Sequence, residues 1–520
     1  MLPSNSPPTA QQASMLSENL IMKEKNILFI GNITQDTVIT YSEKISNNPT
    51  TLQLPENDHT PNNDDPIIDY SRFEKVQSQS LGGSVMFGCL AFQHYMKEAE
   101  PTLPISHCSH HYDPIVHHHQ DGCLNGHHDT TTTLKFQPRI FTKIGKRDVR
   151  KLLRFFENRT LDPYPSDEEE EGLLDVNTPQ HVQKEQPDIC VVKKLRGLKM
   201  FENVVVVDHY HQHQQDHSEP LVTAIEESKL TQYELCYPPP LENGMPNQRT
   251  LVCRDRGSIF QTEDIHFILK DQQLRQGHLE ALFFVPVAAE FDHHFVKHFS
   301  EQVIQHYGQS PVIVCTDIQG YLRKIESGGK VSHNSFEYLQ QVLRILSSVI
   351  SIIKLDHEEA KKCIESSEKL TPEQCALILQ EQYGFPIVNV TMGGGGSVCA
   401  CKGSEITFHS KLTESKEVKS EKQLHASIVK YFPAYKPRRV RDETGAGDTF
   451  LSCFVAELLV TKHSKYKDQP RLDSFTLSYE EIFHCVKMAS SSTSFRVEER
   501  GLNGFASRKQ AYHRVCENKH

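Results

Sequence analysis

Seven short apolar runs constrain the fold of this chain more than any other feature of its sequence. The runs are rich in β-branched residues and show no alternation of apolar and polar positions, which is typical of buried β-strands. Such strands are covered on both faces, as in a parallel sheet. The predicted strands are 26–30, 141–145, 203–208, 281–287, 310–317, 349–356 and 386–393.

Helical patterns lie between several of these runs. Two of them carry start signals, because Asp356 precedes a His-Glu-Glu stretch and Thr371 is followed by Pro, Glu and Gln. Alternation of strands and helices over this length predicts an α/β fold with a doubly wound, mostly parallel sheet flanked by helices. The predicted helices are 289–307, 335–350, 357–364 and 372–382.

Polar blocks interrupt this framework and account for a lean composition. Only 37 % of the 520 residues are hydrophobic, so a sizeable core requires the apolar residues to be concentrated between polar insertions. Length alone would allow about three domains, but we predict a disordered tail at 1–24 and a single domain over 25–515. Its predicted insertions are about 43–69, 97–132, 160–187 and 209–219.

Charge and targeting signals narrow the function classes. The chain has 56 Lys and Arg against 67 Asp and Glu, a formal net charge of −11, which argues against a general nucleic-acid binder. It shows neither a secretory signal at its start nor an apolar run of the roughly 18 residues that a membrane span needs. The 14 cysteines are scattered, without paired CxxC motifs, as expected of reduced core thiols. We therefore expect a cytoplasmic protein with no membrane or nucleic-acid partner.

The segment VRDETGAGDTFLSCFVAELL at 440–459 carries the most specific chemical signal. Its apolar residues after the glycines have helical spacing, so Gly445, Ala446, Gly447 and Asp448 are predicted at a helix N-terminus. Free amides and the helix dipole make such a terminus an anion site. Asp448 would accept the proton of an attacking hydroxyl while the Gly amides stabilise a transferring phosphoryl group. The simpler alternative is a glycine turn with Asp448 as an ordinary first-turn charge.

This motif resembles that of the PfkB (ribokinase-like) carbohydrate kinases. TGAGDTF preceded by Asp442 is similar to the C-terminal motif of that family, and three further segments follow in the family's order. Segment 26–39 resembles the first strand with its substrate-binding Asp, and segment 81–92 resembles the Gly-Gly turn at the sugar site. Segment 388–398 resembles the strand and glycine turn beside the nucleotide.

The resemblance implies a role for each matching residue. The implied catalytic base is Asp448, with Gly445, Ala446 and Gly447 as the anion hole. The implied substrate-binding residues are Asn32, Asp36, Gly82 and Gly83, and the implied nucleotide-binding residues are Thr391, Gly393, Gly396 and Thr444. For Asp36, a turn that merely closes the strand is the structural alternative.

The resemblance also implies ATP and Mg²⁺ as cofactors, and a monovalent cation as a further candidate. Lys354, Asp356 and Glu359 match the nucleotide and magnesium face, where Glu359 on a predicted helix is the better placed acid to orient a metal-bound water. Asp442 lies outside the predicted helix, near the position where the family often binds a monovalent cation. We therefore assign Glu359 and Asp442 as the metal-site candidates.

Departures from the family pattern bear on the phosphate acceptor. Phe87 stands where many sugar kinases have an Asn that helps to hold the substrate, which argues against ribose or fructose. Phe87, the stretch CTDIQGYLRKI at 315–325 and the acidic run at 353–360 are more similar to the inositol 3-kinase branch. The alternative for Arg323 in that stretch is a solvent-facing residue after a strand.

These observations favour an ATP-dependent phosphotransferase that acts on a hydroxyl of a small polyol or sugar, with myo-inositol as a candidate. A nucleoside kinase, and a non-catalytic regulatory protein on the same fold, remain the alternatives. A small β-lid is expected from within 38–81 and around 231–254. We expect a monomer or a homodimer formed through that lid.

Two histidine-rich blocks account for many of the 29 histidines. His107, His110, His111, His117, His118, His119, His127 and His128 lie in one, with Cys108 and Cys123, and His209, His211, His213 and His217 lie in the other. Their irregular spacing does not match that of structural zinc sites. We interpret both blocks as compositional bias in solvated insertions, with a zinc or copper site as the alternative.

Overall fold

The computed structural model describes residues 25–43, 73–97, 136–143, 204–207, 230–237, 250–270, 274, 277–307, 310–364, 369–410, 426–467, 469 and 472–517. The predicted tail, both histidine-rich blocks and the predicted insertions lie outside these residues, except for Glu43 and Lys97 at two insertion edges. The predictions for those segments stay untested.

The strands of the described residues form a nine-stranded sheet, a four-stranded sheet and two two-stranded sheets. In chain order they are β1 Lys25–Ile30, β2 Thr34–Glu43, β3 Phe73–Gly82, β4 Phe136–Lys143, β5 Val204–Val207, β6 Thr231–Tyr237, β7 Thr250–Asp255, β8 His278–Phe284, β9 Ile313–Asp317, β10 Arg323–Ile325, β11 Val331–His333, β12 Ile352–Asp356, β13 Ile387–Thr391, β14 Ser397–Cys401, β15 Glu405–His409, β16 Ile428–Phe432 and β17 Ser474–Ser478.

The helices begin at residues that the sequence marks well. Asp356, Thr371, Ser478 and Ser507 each form a capping box, in which the cap side chain and the residue three positions later bond each other's backbone amides. The helices are α1 Ser84–Met96, α2 Ile265–Lys270, α3 His293–Tyr307, α4 Gln319–Leu322, α5 Phe336–Leu346, α6 His357–Lys362, α7 Pro372–Tyr383, α8 Ala446–Lys465, α9 Tyr479–Arg496 and α10 Arg508–Cys516.

The large sheet has nine strands in the order β16-β14-β13-β12-β9-β8-β1-β4-β5. All neighbours from β13 to β5 are parallel, and β14 and β16 add an antiparallel edge. The chain winds from β1 outward in both directions, which makes the β1–β8 boundary a topological switch point. The predicted doubly wound, mostly parallel sheet is therefore confirmed.

Each face of this sheet is covered by its own set of helices. The core on one face packs α1, α8, α9 and α10 against residues such as Phe29 and Phe283, whose rings stack 4.2 Å apart. The core on the other face packs α2, α3, α5, α6 and α7 against residues such as Leu282 and Ile353. Burial of the central strands β1, β8, β9, β12 and β13 on both faces explains why their sequences are apolar without alternation.

A four-stranded sheet in the order β3-β2-β6-β7 forms the small lid. Strand β2 pairs antiparallel with β3 and parallel with β6, and β6 pairs antiparallel with β7. The lid strands fall within the two predicted segments, although β2 already starts at Thr34. Only three residues, Gly31 to Ile33, separate it from β1 in the large sheet, so the lid is attached directly at the switch point.

Strand boundaries differ from the predictions where local bonds intervene. The segment predicted to start a strand at Val349 instead completes the turn after α5, because the amides of Val349 and Ile350 bond Leu346 O. Strand β4 starts earlier than predicted, at Phe136. It includes Pro138, which lies opposite Ile27 of β1. Pro138 precedes residues 140–143, where β4 pairs with β5. The predicted identity of each element as a strand or a helix holds.

Two further observations concern the whole of the described chain. Its cysteines are free thiols, and all but Cys236 and Cys516 are buried, in agreement with the predicted reduced core thiols. Within the described ranges, no helix is both long enough and apolar enough to cross a bilayer.

Candidate active site

The candidate site lies at the carboxyl ends of the central parallel strands, where α/β sheets of this kind bind ligands. Strand β1 leads through Asn32 to the lid, β9 ends at Asp317, and β12 carries Lys354 near its end. Helix α8, with the TGAGD motif at its start, packs across the same edge. The topology therefore brings together segments that are hundreds of residues apart.

Gly445 starts helix α8 in a left-handed conformation, with a φ of 75°. A Cβ at this position would lie 2.2 Å from Cδ1 of Phe87, so glycine is required both by the backbone angle and by the space. The helix that follows is 20 residues long and largely buried. Its first-turn amides have no acceptor within the helix, although the Ala446 amide donates to Glu443 O in the turn. Among the predicted anion-hole residues, Gly447 adjoins the side chain of Lys354, because a Cβ at this position would meet the ammonium group.

Asp448 lies in the first turn of α8 and is partly buried. Burial and the nearby Asp317 carboxylate raise its pKa to about 6, against the opposing effects of Lys354, a hydrogen bond with Ser84 and Arg323. A carboxyl with a pKa near neutrality is suited to take up a proton during a reaction and release it afterwards. Ser84 is the first residue of α1, directly after the Gly-Gly turn, so this turn contacts the predicted base.

A buried ion pair lies beneath the start of α8. Lys354 Nζ is 2.7 Å from Asp317 Oδ2, and both side chains are almost completely buried. A Cβ on Gly447 would lie 2.5 Å from the same Nζ, so the ammonium group reaches the backbone of the motif itself. Burial alone would lower the pKa of Lys354, but Asp317, Glu359 and Asp448 raise it, which keeps the side chain charged.

Asp36 lies on the lid, within strand β2 rather than in a turn that closes β1. Its backbone neighbours are Ser80 on β3 and Tyr233 on β6. Burial raises the pKa of Asp36 to about 6, against a hydrogen bond with Thr34 and the charge of Arg323. This placement removes the strand-closing turn as an explanation for the residue and leaves its substrate-binding role as a prediction.

Arg323 links the two carboxylates electrostatically. Its positive charge lowers the pKa of both Asp36 and Asp448, so it lies close to the lid and to the start of α8. Its Nη1 donates to Val287 O at 2.9 Å, and its guanidinium lies 5.4 Å from the centre of the Tyr233 ring. The residue is only partly exposed, which contradicts the solvent-facing alternative.

The remaining predicted substrate residues lie where the lid joins the large sheet. Gly82 ends β3, and Gly83, with a φ of 89°, caps α1 and accepts the amides of Met86 and Phe87. Asn32 is buried at the hinge, where its amide donates to Glu290 Oε1 and its Nδ2 donates to Ser258 O, each at 3.1 Å. Its buried Oδ1 has no partner among the described residues and is available to a ligand donor.

Phe87 has a packing role that accounts for the departure from the family pattern. The ring is buried against Gly445 on one side, and the Arg496 guanidinium lies 5.0 Å from its centre. An Asn at this position would leave the space beneath Gly445 unfilled. Phe87 therefore supports the turn at the start of α8, and the sequence position alone did not indicate this.

The predicted nucleotide residues lie on two turns at the same edge of the sheet. Thr391 ends β13, where its hydroxyl donates to Leu355 O at 3.3 Å. A short 3-10 turn at Gly393–Gly395 follows, with open space around Gly393, whereas Gly396 is packed against the backbone at Phe432. Thr444 is exposed, and its amide donates to Asp442 Oδ1. A nucleotide role for these residues stays a prediction.

Glu359 fits the binding of a magnesium ion through water. It lies on α6, where its Oε2 accepts the amide of Asp356, and burial with the charges of Asp317 and Asp356 raises its pKa to about 7. Asp317, Glu359 and Asp448 all interact electrostatically with Lys354, and this excess of carboxyl oxygens over ammonium groups suits a hard cation. The described ranges contain no cluster of three or more His, Cys, Asp or Glu side chains that could hold a metal ion.

Asp442 does not fit a cation site equally well. Its Oδ1 accepts the Thr444 amide, and its Oδ2 accepts the Gly501 amide at 3.0 Å and Arg496 Nη2 at 3.3 Å. Burial would raise its pKa, but these three donors hold it below its usual value. The carboxylate therefore already has a positive partner within the chain.

Four groups of the site were not assigned from the sequence. Ser84, Asp317 and Arg496 each lie far along the chain from the residue that they contact, and Arg323 was noted only as a subfamily cue. The sequence signal that could have identified Asp317 is its position as a polar residue at the end of a predicted strand. The partners of Ser84 and Arg496 depend on how α1 and α9 pack beside α8, which residue spacing does not reveal.

No protein-family model and no curated protein matches this sequence. Solved structures do resemble its fold. A pyrophosphate-dependent kinase in the ribokinase family, complexed with a pyrophosphate analogue and myo-inositol, has 14 % identity, a TM-score of 0.44 and coverage of 94 % of this chain and 99 % of that chain. Ribokinase from Giardia lamblia has 11 % identity, a TM-score of 0.49 and coverage of 95 % and 99 %.

Ribokinase from Arabidopsis thaliana, complexed with ribose and ATP, has 13 % identity, a TM-score of 0.42 and coverage of 95 % of this chain and 99 % of that chain. Similarity at this level concerns the fold and carries no information about the reaction of this chain. The fold class itself follows from the strand order described above. It is an α/β fold with a doubly wound, mostly parallel sheet and a small β-lid.

Proposed function

We propose that this protein is an ATP-dependent phosphotransferase that moves the γ-phosphoryl group to a hydroxyl of a small polyol. The observation that carries this proposal is the environment of Asp448. The carboxyl lies in the first turn of a buried helix, has a pKa raised to about 6 and adjoins both Ser84 and the charge of Lys354. A base and an anion-stabilising turn are thus combined at one point.

The proposed reaction transfers the γ-phosphoryl group of ATP to the hydroxyl of the acceptor. The acceptor oxygen attacks the γ-phosphorus, and its proton passes to the Asp448 carboxylate. The bond from phosphorus to the β,γ-bridging oxygen breaks, and ADP leaves. The first-turn amides of α8 and the Lys354 ammonium stabilise the charge on the transferring group. Mg²⁺, oriented by Glu359 through water, would shield the phosphate charges when bound.

The groups on the lid side favour a polyol as the acceptor. Asp36 can accept hydrogen bonds from two neighbouring hydroxyls, and the unpartnered Oδ1 of Asn32 can accept a third. Arg323 supplies donors on the same side. The Tyr233 ring is buried, and the Arg323 guanidinium lies 5.4 Å from its centre, so it does not offer a free stacking face to a nucleobase. These contacts support a compact molecule with several hydroxyls, such as an inositol.

An acceptor screen tests this proposal. ADP formation by the purified full-length protein with Mg²⁺ and ATP would be measured over inositols, pentoses, hexoses and nucleosides, with 31P NMR to identify the product. We expect turnover with a cyclic or linear polyol, reduced about 10²–10⁴-fold in Asp448→Asn, with ATP binding retained. Turnover with nucleosides alone would establish the nucleoside alternative. ATP binding without turnover of any acceptor would favour a regulatory protein.

A further inference from the structure

Arg496 is a charged side chain that the proposed reaction does not use directly and that is completely buried. It ends helix α9, and its exposed fraction is 0 %. Burial of a guanidinium is unfavourable unless partners offset its desolvation. Because the guanidinium is planar and weakly hydrated, arginine is the cation best suited to such a position. The contacts of its guanidinium therefore indicate the structural role of Arg496.

The partners of Arg496 converge on the turn that leads into α8. Nη2 lies 3.3 Å from Asp442 Oδ2, and Nη1 donates to Glu499 O at 2.7 Å. The guanidinium faces the Phe87 ring at 5.0 Å, and that ring in turn lies against Gly445. Arg496 thus contacts the phosphate-binding turn from two sides, through the carboxylate before it and the aromatic ring beneath it.

Backbone bonds complete the same arrangement. The amides of Arg441 and Asp442 both donate to Val497 O, and the Gly501 amide donates to Asp442 Oδ2. The segment before the motif is therefore held along the segment that follows α9. The Arg496 charge is also close enough to Asp448 to interact with it electrostatically. An internal cation at this point both orders the turn and adds positive potential behind the anion site.

We propose that Arg496 is a positioning residue that takes the place of a monovalent cation at Asp442. Phosphoryl transfer by this chain would then be independent of potassium, although the sequence resemblance implies a cation near Asp442. The predicted effect on turnover rests on the proposed function. The predicted effect on thermal unfolding rests only on the geometry around Asp442.

The first experiment uses the unaltered full-length protein. Turnover and thermal unfolding would be compared in KCl, NaCl and choline chloride at constant ionic strength. We expect rates that agree within about twofold and a melting temperature without potassium-specific stabilisation. Stimulation of turnover by more than about tenfold in KCl, or a rise of the melting temperature specific to potassium, would overturn the proposal. If no acceptor is turned over, the unfolding arm still decides the question, so failure of the proposed function is distinguishable.

The second experiment removes the guanidinium. Arg496→Ala should reduce turnover about 10²-fold, as expected when a reacting group is displaced by about an ångström, and methylguanidinium should restore part of it. Methylurea, which is uncharged and of similar shape, should not. Arg496→Lys should retain more activity than Arg496→Ala, and only Arg496→Ala should gain potassium-dependent stabilisation. Equal rescue by methylurea would indicate that the side chain merely fills space. If Arg496→Ala does not fold, the salt comparison on the wild-type protein remains decisive.

Discussion

Lys354 Nζ lies 2.7 Å from Asp317 Oδ2, directly below Gly447 in the first turn of α8. The pair joins the ends of two neighbouring parallel strands, β9 and β12, to the first turn of α8. The Lys354 ammonium lies near both Asp317 and Asp448. Asp317 raises the pKa of Asp448, and the charge of Lys354 opposes this rise. The protonation of Asp448 is therefore linked to Lys354.

This linkage predicts a specific pH profile. Asp448 must be ionised to accept a proton, and its pKa is raised to about 6, so kcat/KM should fall as the pH drops below about 6. Asp36, with a pKa also raised to about 6, should steepen that acid limb. Lys354→Met removes a charge that lowers the pKa of Asp448, so the limb should move to higher pH and turnover should fall.

The matched control for this profile is Lys324→Met, which removes an exposed lysine from β10. It should leave the acid limb where it is in the wild-type protein. An acid limb that stays at the same pH in Lys354→Met, despite a folded protein, would show that the ammonium does not act on the base.

Asp448→Asn should stabilise the fold while it removes activity. The folded pKa of about 6 lies above the model-compound value of 3.8, so the ionised carboxylate is less favourable in the folded state. The contribution of Asp448 to stability should decrease as the pH rises from about 4 to 6, and Asp448→Asn lacks this dependence. At pH 7 the variant should be more stable by about 1–3 kcal/mol.

Urea unfolding at pH 4 and pH 7 measures this effect. The two proteins should have similar stability at pH 4, because the wild-type carboxyl is then largely protonated in the folded state. If Asp448→Asn is less stable than the wild-type protein at pH 7, the ionised carboxylate is favourably paired in the folded state, which contradicts its raised pKa.

Gly445→Ala tests the steric requirement of the turn that starts α8, which we propose binds the transferring phosphoryl group. The new Cβ would meet Cδ1 of Phe87 at 2.2 Å at a φ of 75°, so the ring, the turn or both must move. We expect a loss of turnover of about 10²-fold or more. Gly384→Ala is the control, because Gly384 has a φ of 82° but no contact closer than 3.7 Å. It should cost only about 1–3 kcal/mol of stability and leave turnover unchanged, and equal losses in both variants would disprove a local effect.

Much of the fold was predictable because its signals are local. Apolar runs identify the parallel strands, since burial on both faces removes alternation, and cap residues such as Asp356 and Thr371 mark helix starts. The helix start at the TGAGD motif could be predicted for the same reason. Strand β4 was placed too late, and Val349 was assigned to a strand although it belongs to a turn. Both errors concern boundaries, where single backbone bonds decide.

The partners within the site were less accessible to sequence reasoning. Arg496 lies 54 residues from Asp442, and Asp317 lies 37 residues from Lys354. The pair of Asp317 and Lys354 forms because β9 and β12 are neighbours in the sheet, and the pair of Arg496 and Asp442 forms because α9 packs beside α8. Phe87 seemed a substrate-site residue by position, yet its neighbour Gly445 comes from another helix. Contacts of this kind depend on packing between elements, which periodicity does not encode.

The last prediction concerns the attachment of the C-terminal helix α10. Arg508 at its start forms two bonds of 2.7 Å with the buried Glu457 of α8, and Tyr95 of α1 donates to the same carboxylate at 2.6 Å. Burial alone would raise the pKa of Glu457, but the bonds from Arg508 and His484 hold it at about 2. Arg508→Met would leave a buried charge without its main partner and should cost about 3–5 kcal/mol.

Unfolding in urea across pH would test this attachment, with Lys509→Met as the control, because Lys509 is the exposed neighbour on the same helix. The control should change stability by less than about 0.5 kcal/mol. In the wild-type protein the contribution of Glu457 is complete above pH 4.5 and is lost as the pH falls towards 2. The difference between wild type and Arg508→Met should therefore be largest near neutral pH and shrink in acid. A difference that is constant with pH would show that Arg508 acts through packing rather than through its charge.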